Sequence, residues 1–219
     1  YTHPTMTDTP STRLACVQLD IDGGNVEANL TRALEAVDEA AANGADLIAL
    51  PELFDVGYFA FESYQRAAVS LASDRLDRFA ERARRHGVAV LAGTVIEDLA
   101  ASAADGIDVP TEAGLANAAV LFDSSGTRQL VYRKHHLFGY GSAESERLEP
   151  GERVDVAEIG PFTVGVTTCY DLRFPELYRQ LLDAGADLVL VPSARPYPRV
   201  EHWKTLPRSR AIENLSYVA

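Results

Sequence analysis

The chain has 219 residues, of which 47% are hydrophobic and 24% charged, a composition typical of a globular protein rather than of a disordered, collagen-like or disulfide-rich chain. No apolar run approaches the eighteen residues needed to cross a membrane, so we expect no membrane partner. The formal net charge of −12 opposes binding to phosphate backbones, which argues against a nucleic-acid partner.

In chain order, apolar runs that end at Gly, Pro, Asn or Asp alternate with segments of helical periodicity. The pattern predicts a strand at 14–19, a helix capped by Asn25 and continuing to Ala41, a strand at 45–50, a helix at 73–86, a strand at 88–95, a surface loop at 98–115, a hairpin of 118–122 and 129–132, a strand at 162–167, a helix at 175–182, a strand at 188–191 and a helix at 200–214. Almost entirely apolar strands are typical of a parallel sheet covered on both faces, so the predicted fold class is α/β.

The start of the chain and its cysteines indicate the compartment. Two cysteines, Cys16 and Cys169, are too few for a disulfide framework, and no basic-then-apolar leader pattern is present. We therefore expect a cytoplasmic location. Residues 1–12 are polar, and we interpret them as a disordered tail or an expression remnant that precedes one domain over residues 13–219.

One segment of the chain is repeated in a similar form. Residues 43–52, NGADLIALPE, resemble residues 184–193, AGADLVLVPS. In each copy a helix stops at a glycine, an apolar strand follows, and a proline precedes a polar residue, Glu52 or Ser193. Two copies so far apart predict two similar α/β halves packed within one domain.

The two cysteines differ in their surroundings. Cys169 follows a predicted strand and precedes a turn into a helix, which exposes a side chain at the carboxyl edge of a sheet beside backbone N–H groups. Cys169 is therefore a candidate nucleophile, with a structural cysteine at a strand end as an equally weighted alternative. Cys16 lies within the first strand, and we expect it to be a small buried hydrophobic residue.

A nucleophilic cysteine needs a base, and none of the five histidines is well placed in the sequence, either as that base or as part of a metal site. Glu52 follows a buried strand and Pro51 at the same predicted sheet edge, although an exposed carboxylate is the commoner arrangement at a strand end. Lys134, one of only two lysines, leaves another strand at this edge. A lysine ammonium suits an oxyanion, and an exposed surface lysine is the alternative.

Three motifs together resemble the signatures of the nitrilase, or carbon–nitrogen hydrolase, superfamily. They are PELF at 51–54, YRKHHLF at 132–138 and CYDLRFPE at 169–176, and the helix containing RSRAIEN at 208–214 extends the resemblance over about residues 13–219. The resemblance implies a four-layer α-β-β-α sandwich with pseudo-twofold related halves, and a homodimer or higher homo-oligomer. Chains of this superfamily continue past the position of Ala219, so we expect the C-terminal part of the domain to be missing here.

The resemblance also implies roles for individual residues. Glu52 is the implied general base, Lys134 the oxyanion stabiliser and Cys169 the nucleophile. A second glutamate of the superfamily lies six residues before a Pro-Gly pair, which indicates Glu144, with Glu146 as the alternative. The implied reaction is hydrolysis of a small-molecule amide, which releases ammonia through a cysteine thioester and needs neither a cofactor nor a metal.

The residues around Cys169 resemble one branch of the superfamily. True nitrilases typically show Cys-Trp-Glu at the nucleophile, whereas CYDLRFPE is similar to the Nit-type branch, which includes ω-amidases. Their substrates are small amides with a distant carboxylate, for which Arg173 or Arg195 is a candidate bidentate partner. A salt bridge between Arg173 and Glu176 or another acidic residue is the alternative. The other candidates for substrate contact are Tyr58, Tyr170 and Ser193.

Two other functions stay open at this point. A fold does not ensure activity, so a catalytically silent α/β binding protein with the same fold is one alternative. A carbamoylase or nitrilase of the same superfamily is the other.

Overall fold

The structure is a computed structural model that describes residues 11–140, 142–195 and 197–219, and within these ranges the strands form two sheets. Residues 1–10, most of the predicted tail, lie outside the described residues. The first sheet contains, in spatial order, β1 (Leu14–Cys16), β2 (Leu47–Ala49), β3 (Ala89–Asp98), β4 (Leu115–Phe122) and β5 (Arg128–Arg133). The second sheet contains β6 (Val156–Ile159), β7 (Phe162–Val166), β8 (Leu188–Leu190) and β9 (Tyr217–Val218).

Helices connect the strands and cover the outer faces of the sheets. The α-helices are α1 (Val26–Ala42), α2 (Tyr64–Ala67), α3 (Asp74–His86), α4 (Leu99–Ala104), α5 (Glu144–Arg147), α6 (Pro175–Asp183) and α7 (Val200–Asn214). Three 3-10 helices are formed by Phe61–Ser63, Cys169–Arg173 and Tyr197–Arg199. In the described part of the chain, no helix is long and apolar enough to span a membrane.

The elements stack in four layers. Phe79 of α3 packs with Ile48 of β2 on the outer face of the first sheet, whereas Leu47, the preceding residue, packs against the second sheet. This alternation of two buried faces explains why the strand is apolar throughout. On the far side, Tyr178 of α6 packs with Val189 of β8. The predicted α-β-β-α sandwich is confirmed.

The two halves predicted from the repeated segment are visible in the topology. β1, α1 and β2 form a parallel unit, and β7, α6 and β8 form another. Each unit continues through a helix to a third parallel strand, β3 after α3 and β9 after α7. The repeated segments supply β2 and β8, so both predicted polar residues follow the central strand of a parallel trio.

The predicted surface loop at 98–115 is wrong in part, because α4 forms at its start. The side chain of Asp98 accepts a hydrogen bond from the N–H of Ala101 (3.0 Å), and four of the six helical residues are alanine. An N-terminal acidic cap and alanine both favour a helix. β6 and β9 have no counterpart among the predicted strands.

Two expectations about single residues are also wrong. Cys16 is exposed rather than buried, because it ends β1 at the edge of the first sheet. Asn25 precedes α1, but its side chain makes no capping hydrogen bond to the helix. It donates instead to a carboxylate oxygen of Asp22 (2.9 Å), three residues earlier.

Candidate active site

Glu52 lies just beyond the carboxyl end of β2, in a turn that contacts the neighbouring strand β3. Thr94 of β3 donates its N–H to the carbonyl of Pro51 (3.2 Å), and its hydroxyl accepts the N–H of Leu53 (2.8 Å). Leu53 has a φ of +46°, so the turn is sharp. Glu52 is fully buried, so the alternative of an exposed carboxylate is wrong.

Lys134 directly follows β5. Its N–H donates to the carbonyl of Asn117 in β4 (2.9 Å), and its own carbonyl accepts the N–H of Gly151 (2.9 Å). The bond to Asn117 extends the β4–β5 pairing past the strand end, and the bond from Gly151 joins Lys134 to the segment after α5. The Lys134 side chain is fully buried, so the alternative of an exposed surface lysine is wrong.

Lys134 lies between two buried carboxylates. Its Nζ is 2.9 Å from Glu52 Oε1, and 2.9 and 3.0 Å from the two carboxylate oxygens of Glu144. Burial alone would lower the pKa of Lys134, but Glu52, Cys169 and Glu144 together raise it well above its usual value. The lysine therefore stays charged at neutral pH.

Glu144, in α5, is the second carboxylate of this cluster. Its Oε2 accepts the N–H of Phe138 (2.7 Å) and the hydroxyl of Tyr58 (3.2 Å), which also bonds Ser142 (3.0 Å). Burial and the charge of Glu144 raise the pKa of Tyr58, which keeps its hydroxyl a hydrogen-bond donor. Glu146, the alternative from the sequence, is exposed, so the structure brings Glu144 rather than Glu146 into the cluster.

Cys169 is the first residue of the 3-10 helix that follows β7. Its φ of +48° is uncommon for a residue with a side chain, and such strain is frequent at functional sites. Burial, and after it the negative charge of Glu52, raise the pKa of the Cys169 thiol to about 12, while Lys134 and Arg195 act in the opposite direction. The thiol is therefore protonated at neutral pH.

Asp171 holds the turn that carries Cys169. This buried carboxylate accepts the N–H of Thr168 (2.9 Å) in the same turn. From the segment around Lys134 it accepts the hydroxyl of Tyr132 (2.7 Å) and the N–H of His136 (2.9 Å). The turn and the end of β5 are thus fixed to each other.

Asn117, in β4, is a site residue that the sequence analysis missed. Its Nδ2 lies 3.0 Å from Glu52 Oε1 and 3.1 Å from Glu144 Oε1, so one amide bridges both carboxylates. The sequence did contain a signal. All eight residues of β4 are buried, and Asn117 is the one polar side chain among them. A buried polar residue in an apolar strand requires a hydrogen-bond partner.

A cleft of about 1130 Å³ opens beside Glu52. Three of the predicted substrate contacts line it, namely Tyr58, Ser193 and Arg195. Arg195 donates from Nη2 to the carbonyl of Cys169, and its guanidinium lies 5.5 Å from the ring centre of Trp203. The cleft therefore has a positive charge in its wall, close to the candidate nucleophile.

The other two predicted substrate contacts lie elsewhere. Arg173 is exposed, with its Nη2 2.9 Å from Nδ1 of His202 and its guanidinium near the ring of Tyr170. The predicted alternative, a salt bridge of Arg173 with Glu176 or another acidic residue, is absent from the ion pairs of the described residues. Tyr170 is half-buried and packs edge-on against Phe138. Within the part of the chain that the structure describes, neither Arg173 nor Tyr170 lines the cleft.

The chemistry available at this site follows from its groups. Across residues 11–140, 142–195 and 197–219, no three His, Cys, Asp or Glu side chains are grouped so as to hold a metal ion. The cluster combines a thiol, a charged ammonium and two carboxylates, of which Glu52 lines the cleft. These are the groups that nucleophilic attack, proton transfer and oxyanion stabilisation require.

Comparison with known families identifies the chain. The model of the carbon-nitrogen hydrolase family matches residues 13–219. The chain belongs to this family. Its predicted membership of the nitrilase superfamily is thereby confirmed, and it is an amidase-type carbon–nitrogen hydrolase. The alternative of a catalytically silent binding protein is not supported.

Two of the relatives are named as amidases. The chain is 36% identical over 210 residues to the 2-oxoglutaramate amidase of Paenarthrobacter nicotinovorans. The alignment covers 94% of this chain and 68% of that protein. It is 32% identical over 216 residues to the omega-amidase NIT2 of Homo sapiens, with 95% of this chain and 73% of that protein covered.

Solved structures agree with the fold and the enzyme class. Nit3 of Saccharomyces cerevisiae, from branch 10 of the nitrilase superfamily, superposes with a TM-score of 0.81 at 29% identity over 94% of this chain and 73% of that chain. An amidase from Nesterenkonia sp. superposes with a TM-score of 0.80 at 28% identity over 95% of this chain and 74% of that chain. In a mutant of that amidase, acrylamide has added to the active-site cysteine.

Proposed function

We propose that this protein hydrolyses the amide bond of a small ω-amide bearing a distant carboxylate, through a thioester on Cys169. The observation that carries the proposal is the cluster of Glu52, Lys134 and Glu144, fully buried and hydrogen-bonded, beside a strained and buried cysteine. Burying three ionisable side chains together is costly, which favours a catalytic reason for the arrangement.

Acylation begins with a neutral thiol. Because the pKa of Cys169 is raised to about 12, a preformed thiolate is scarce at neutral pH. Glu52, whose negative charge adds to that rise, takes the proton while the sulfur attacks the amide carbon. The C–S bond forms, and the carbonyl electrons move to oxygen.

Lys134 stabilises the oxygen that becomes negative. Its ammonium is charged at neutral pH, and the two carboxylates on either side of it fix its position before the substrate arrives. A charged donor held in place in a buried site is effective because it needs no reorganisation in the transition state. The N–H of Tyr170, directly after Cys169, is the second donor in this proposal.

The same glutamate completes the cycle. Glu52 protonates the nitrogen as the C–N bond breaks, so that ammonia leaves and the thioester remains. Glu52 then takes a proton from the attacking water, and this proton returns to sulfur as the carboxylic acid product departs. Every proton is accounted for within this chain, and the proposed cycle uses no cofactor.

Arg195 is the proposed partner of the substrate carboxylate. It lines the cleft and contacts the backbone of Cys169, whereas Arg173 is exposed and bonds His202. The relatives named as 2-oxoglutaramate amidase and omega-amidase support a substrate of this class. The cytoplasmic location, the homo-oligomeric state and the domain boundaries expected from the sequence stay predictions.

The test measures ammonia release from 2-oxoglutaramate by the wild type and by Cys169→Ala. We expect the variant to lose at least about a thousandfold in kcat, since the covalent route is removed. Cys16→Ala alters the exposed cysteine of β1, which lines the same cleft. As the matched control for the loss of a thiol, it should stay within about threefold of the wild type.

Two results would count against the proposal. Near-normal ammonia release by Cys169→Ala would contradict the thioester mechanism. Faster turnover of nitriles or carbamoyl amines than of amides by the wild type would contradict the substrate class while leaving the nucleophile in place.

A further inference from the structure

We infer that Asn117 is a positioning residue, which holds Glu52 and Glu144 on either side of Lys134 so that Glu52 can accept the proton of Cys169. The inference rests on the proposed function, because it assigns Asn117 a part in the same proton transfer. Asn117 itself contacts neither the thiol nor the cleft wall in the structure's described residues.

The hydrogen bonds form a closed ring of four groups. The amide nitrogen of Asn117 donates to Oε1 of Glu52 (3.0 Å) and to Oε1 of Glu144 (3.1 Å). The same two oxygens each accept from Nζ of Lys134 at 2.9 Å. An amide NH₂ group has two hydrogens, so both are used, and each oxygen receives one charged and one neutral donor.

The orientation of the amide is determined by its neighbours. Rotating it by half a turn would place Oδ1 of Asn117 against two carboxylate oxygens, which is repulsive. In the orientation present, Oδ1 is buried and finds no hydrogen-bond partner among the described residues. Asn117 is therefore placed for its two donors.

A neutral donor suits this position better than a second cation. Lys134 already supplies positive charge to both carboxylates. A further cation would stabilise the ionised form of Glu52 and make it a weaker base toward the Cys169 thiol. Asn117 keeps the carboxylates apart and oriented without adding charge. The backbone carbonyl of Asn117 also accepts the N–H of Lys134 (2.9 Å). Asn117 therefore positions Lys134 through its backbone and the two carboxylates through its side chain.

The experiment replaces Asn117 by leucine, a side chain of similar size without donors. For the folded variant we expect kcat on 2-oxoglutaramate to fall by about tenfold to a hundredfold, with KM within about threefold of the wild type. Alkylation of Cys169 by iodoacetamide, followed by peptide mass spectrometry, should slow by a similar factor because it needs the same base.

The control is Asn214→Leu. Asn214 in α7 is also a buried asparagine whose Oδ1 has no partner among the described residues, and its Nδ2 donates to a carbonyl within the helix. This variant should lower the melting temperature without changing kcat or the alkylation rate. If Asn117 had a purely structural role, Asn117→Leu would likewise lower the melting temperature and leave kcat and the alkylation rate unchanged.

The outcomes separate this inference from the proposed function. A folded Asn117→Leu protein with unchanged kcat, or with a loss confined to KM, would overturn the inference. If that variant fails to fold, Asn117→Ser is judged by the same criteria, and its single hydroxyl should give a smaller loss of kcat. Ammonia release that persists in Cys169→Ala would overturn the proposed function instead.

Discussion

Glu144 and Glu146 lie in the same short helix, α5, and only Glu144 points into the protein. Glu144 contacts Lys134 through both carboxylate oxygens. Glu144→Gln keeps the size of the side chain but removes a charge that orients the ammonium, so we expect kcat/KM to fall by about a hundredfold. Glu146→Gln should stay within about twofold. Ammonia-release kinetics on both variants test the assignment, and the reverse pattern would contradict it.

A second prediction concerns pH. If catalysis needed a preformed Cys169 thiolate, kcat/KM would rise about a hundredfold from pH 7 to 9, since the raised pKa of about 12 lies far above this range. With Glu52 removing the proton during attack, the rate should change less than about threefold over the same interval. Initial rates on butyramide, which does not titrate here, provide the measurement. A tenfold rise per pH unit would show that Glu52 is not the base.

Among single residues, the sequence predicted the site residues that follow strands and missed Asn117, which lies within a strand. Glu52, Lys134 and Cys169 each follow a predicted strand, but the single sheet edge expected for them is wrong for Cys169: Glu52 and Lys134 follow β2 and β5 of the first sheet, whereas Cys169 follows β7 of the second. Asn117 lies 65 positions from Glu52, and its hydrogen bond to that residue depends on the pairing of β3 with β4. Local patterns contain no information about such a contact.

Among the elements, β3 determines the position of the turn that carries Glu52. β3 contains a bulge at Gly93, which has a φ of +55°, and a Cβ there would lie 2.2 Å from the carbonyl of Pro51. Gly93→Ala should therefore displace that turn, lower the free energy of unfolding by at least about 3 kcal/mol and reduce kcat. Denaturant unfolding and ammonia release are the measurements.

Gly87→Ala is the matched control for this prediction. Gly87 ends α3 with a φ of +67°, and no atom lies within 4 Å of a Cβ built there. Only the backbone strain of about 1–2 kcal/mol is expected, with kcat unchanged. Equal effects of the two substitutions would show that the close approach of β3 to Pro51 does not matter.

Element boundaries were predictable where the pattern was long. The helix predicted at 200–214 coincides with α7, and that predicted at 73–86 differs from α3 by one residue. The strands differ from the prediction in both directions. The strand predicted at 14–19 is only Leu14–Cys16, because the chain leaves the sheet edge while remaining apolar, whereas β3, β4 and β5 are longer than predicted. Apolarity marks burial, and pairing between strands sets where a strand ends.

On the scale of the whole molecule, the two similar halves meet at the site. Glu52 follows the central strand of one half, and the N–H of Ala194, which follows the central strand of the other, donates to Glu52 Oε2 (2.9 Å). The repeated segments therefore end beside each other, one supplying the carboxylate and the other a backbone donor. The sequence predicted two halves but not this contact, since only the packing of sheet on sheet creates it.

The net charge of the chain opposes any preference for an anionic substrate. A molecule with a formal charge of −12 repels an anionic substrate, so a preference for one requires a local cation. Arg195 in the cleft wall is that cation in our proposal. We expect 2-oxoglutaramate to exceed butyramide by about a hundredfold in kcat/KM, as a charge-assisted bidentate contact allows.

Two variants and one condition test the source of this preference. Arg195→Met should remove most of it, and because Arg195 also donates to the carbonyl of Cys169, the preference is measured as the ratio of kcat/KM on the two substrates within the same variant. Arg173→Met, at an exposed arginine, should preserve it. Raising the salt concentration from about 0.01 to 0.15 M weakens the repulsion between the protein surface and the substrate, whereas a half-buried contact is screened less. The preference should therefore persist or grow with salt. Faster turnover of butyramide by the wild type, or a preference lost only in Arg173→Met, would show that the carboxylate is bound elsewhere or not at all.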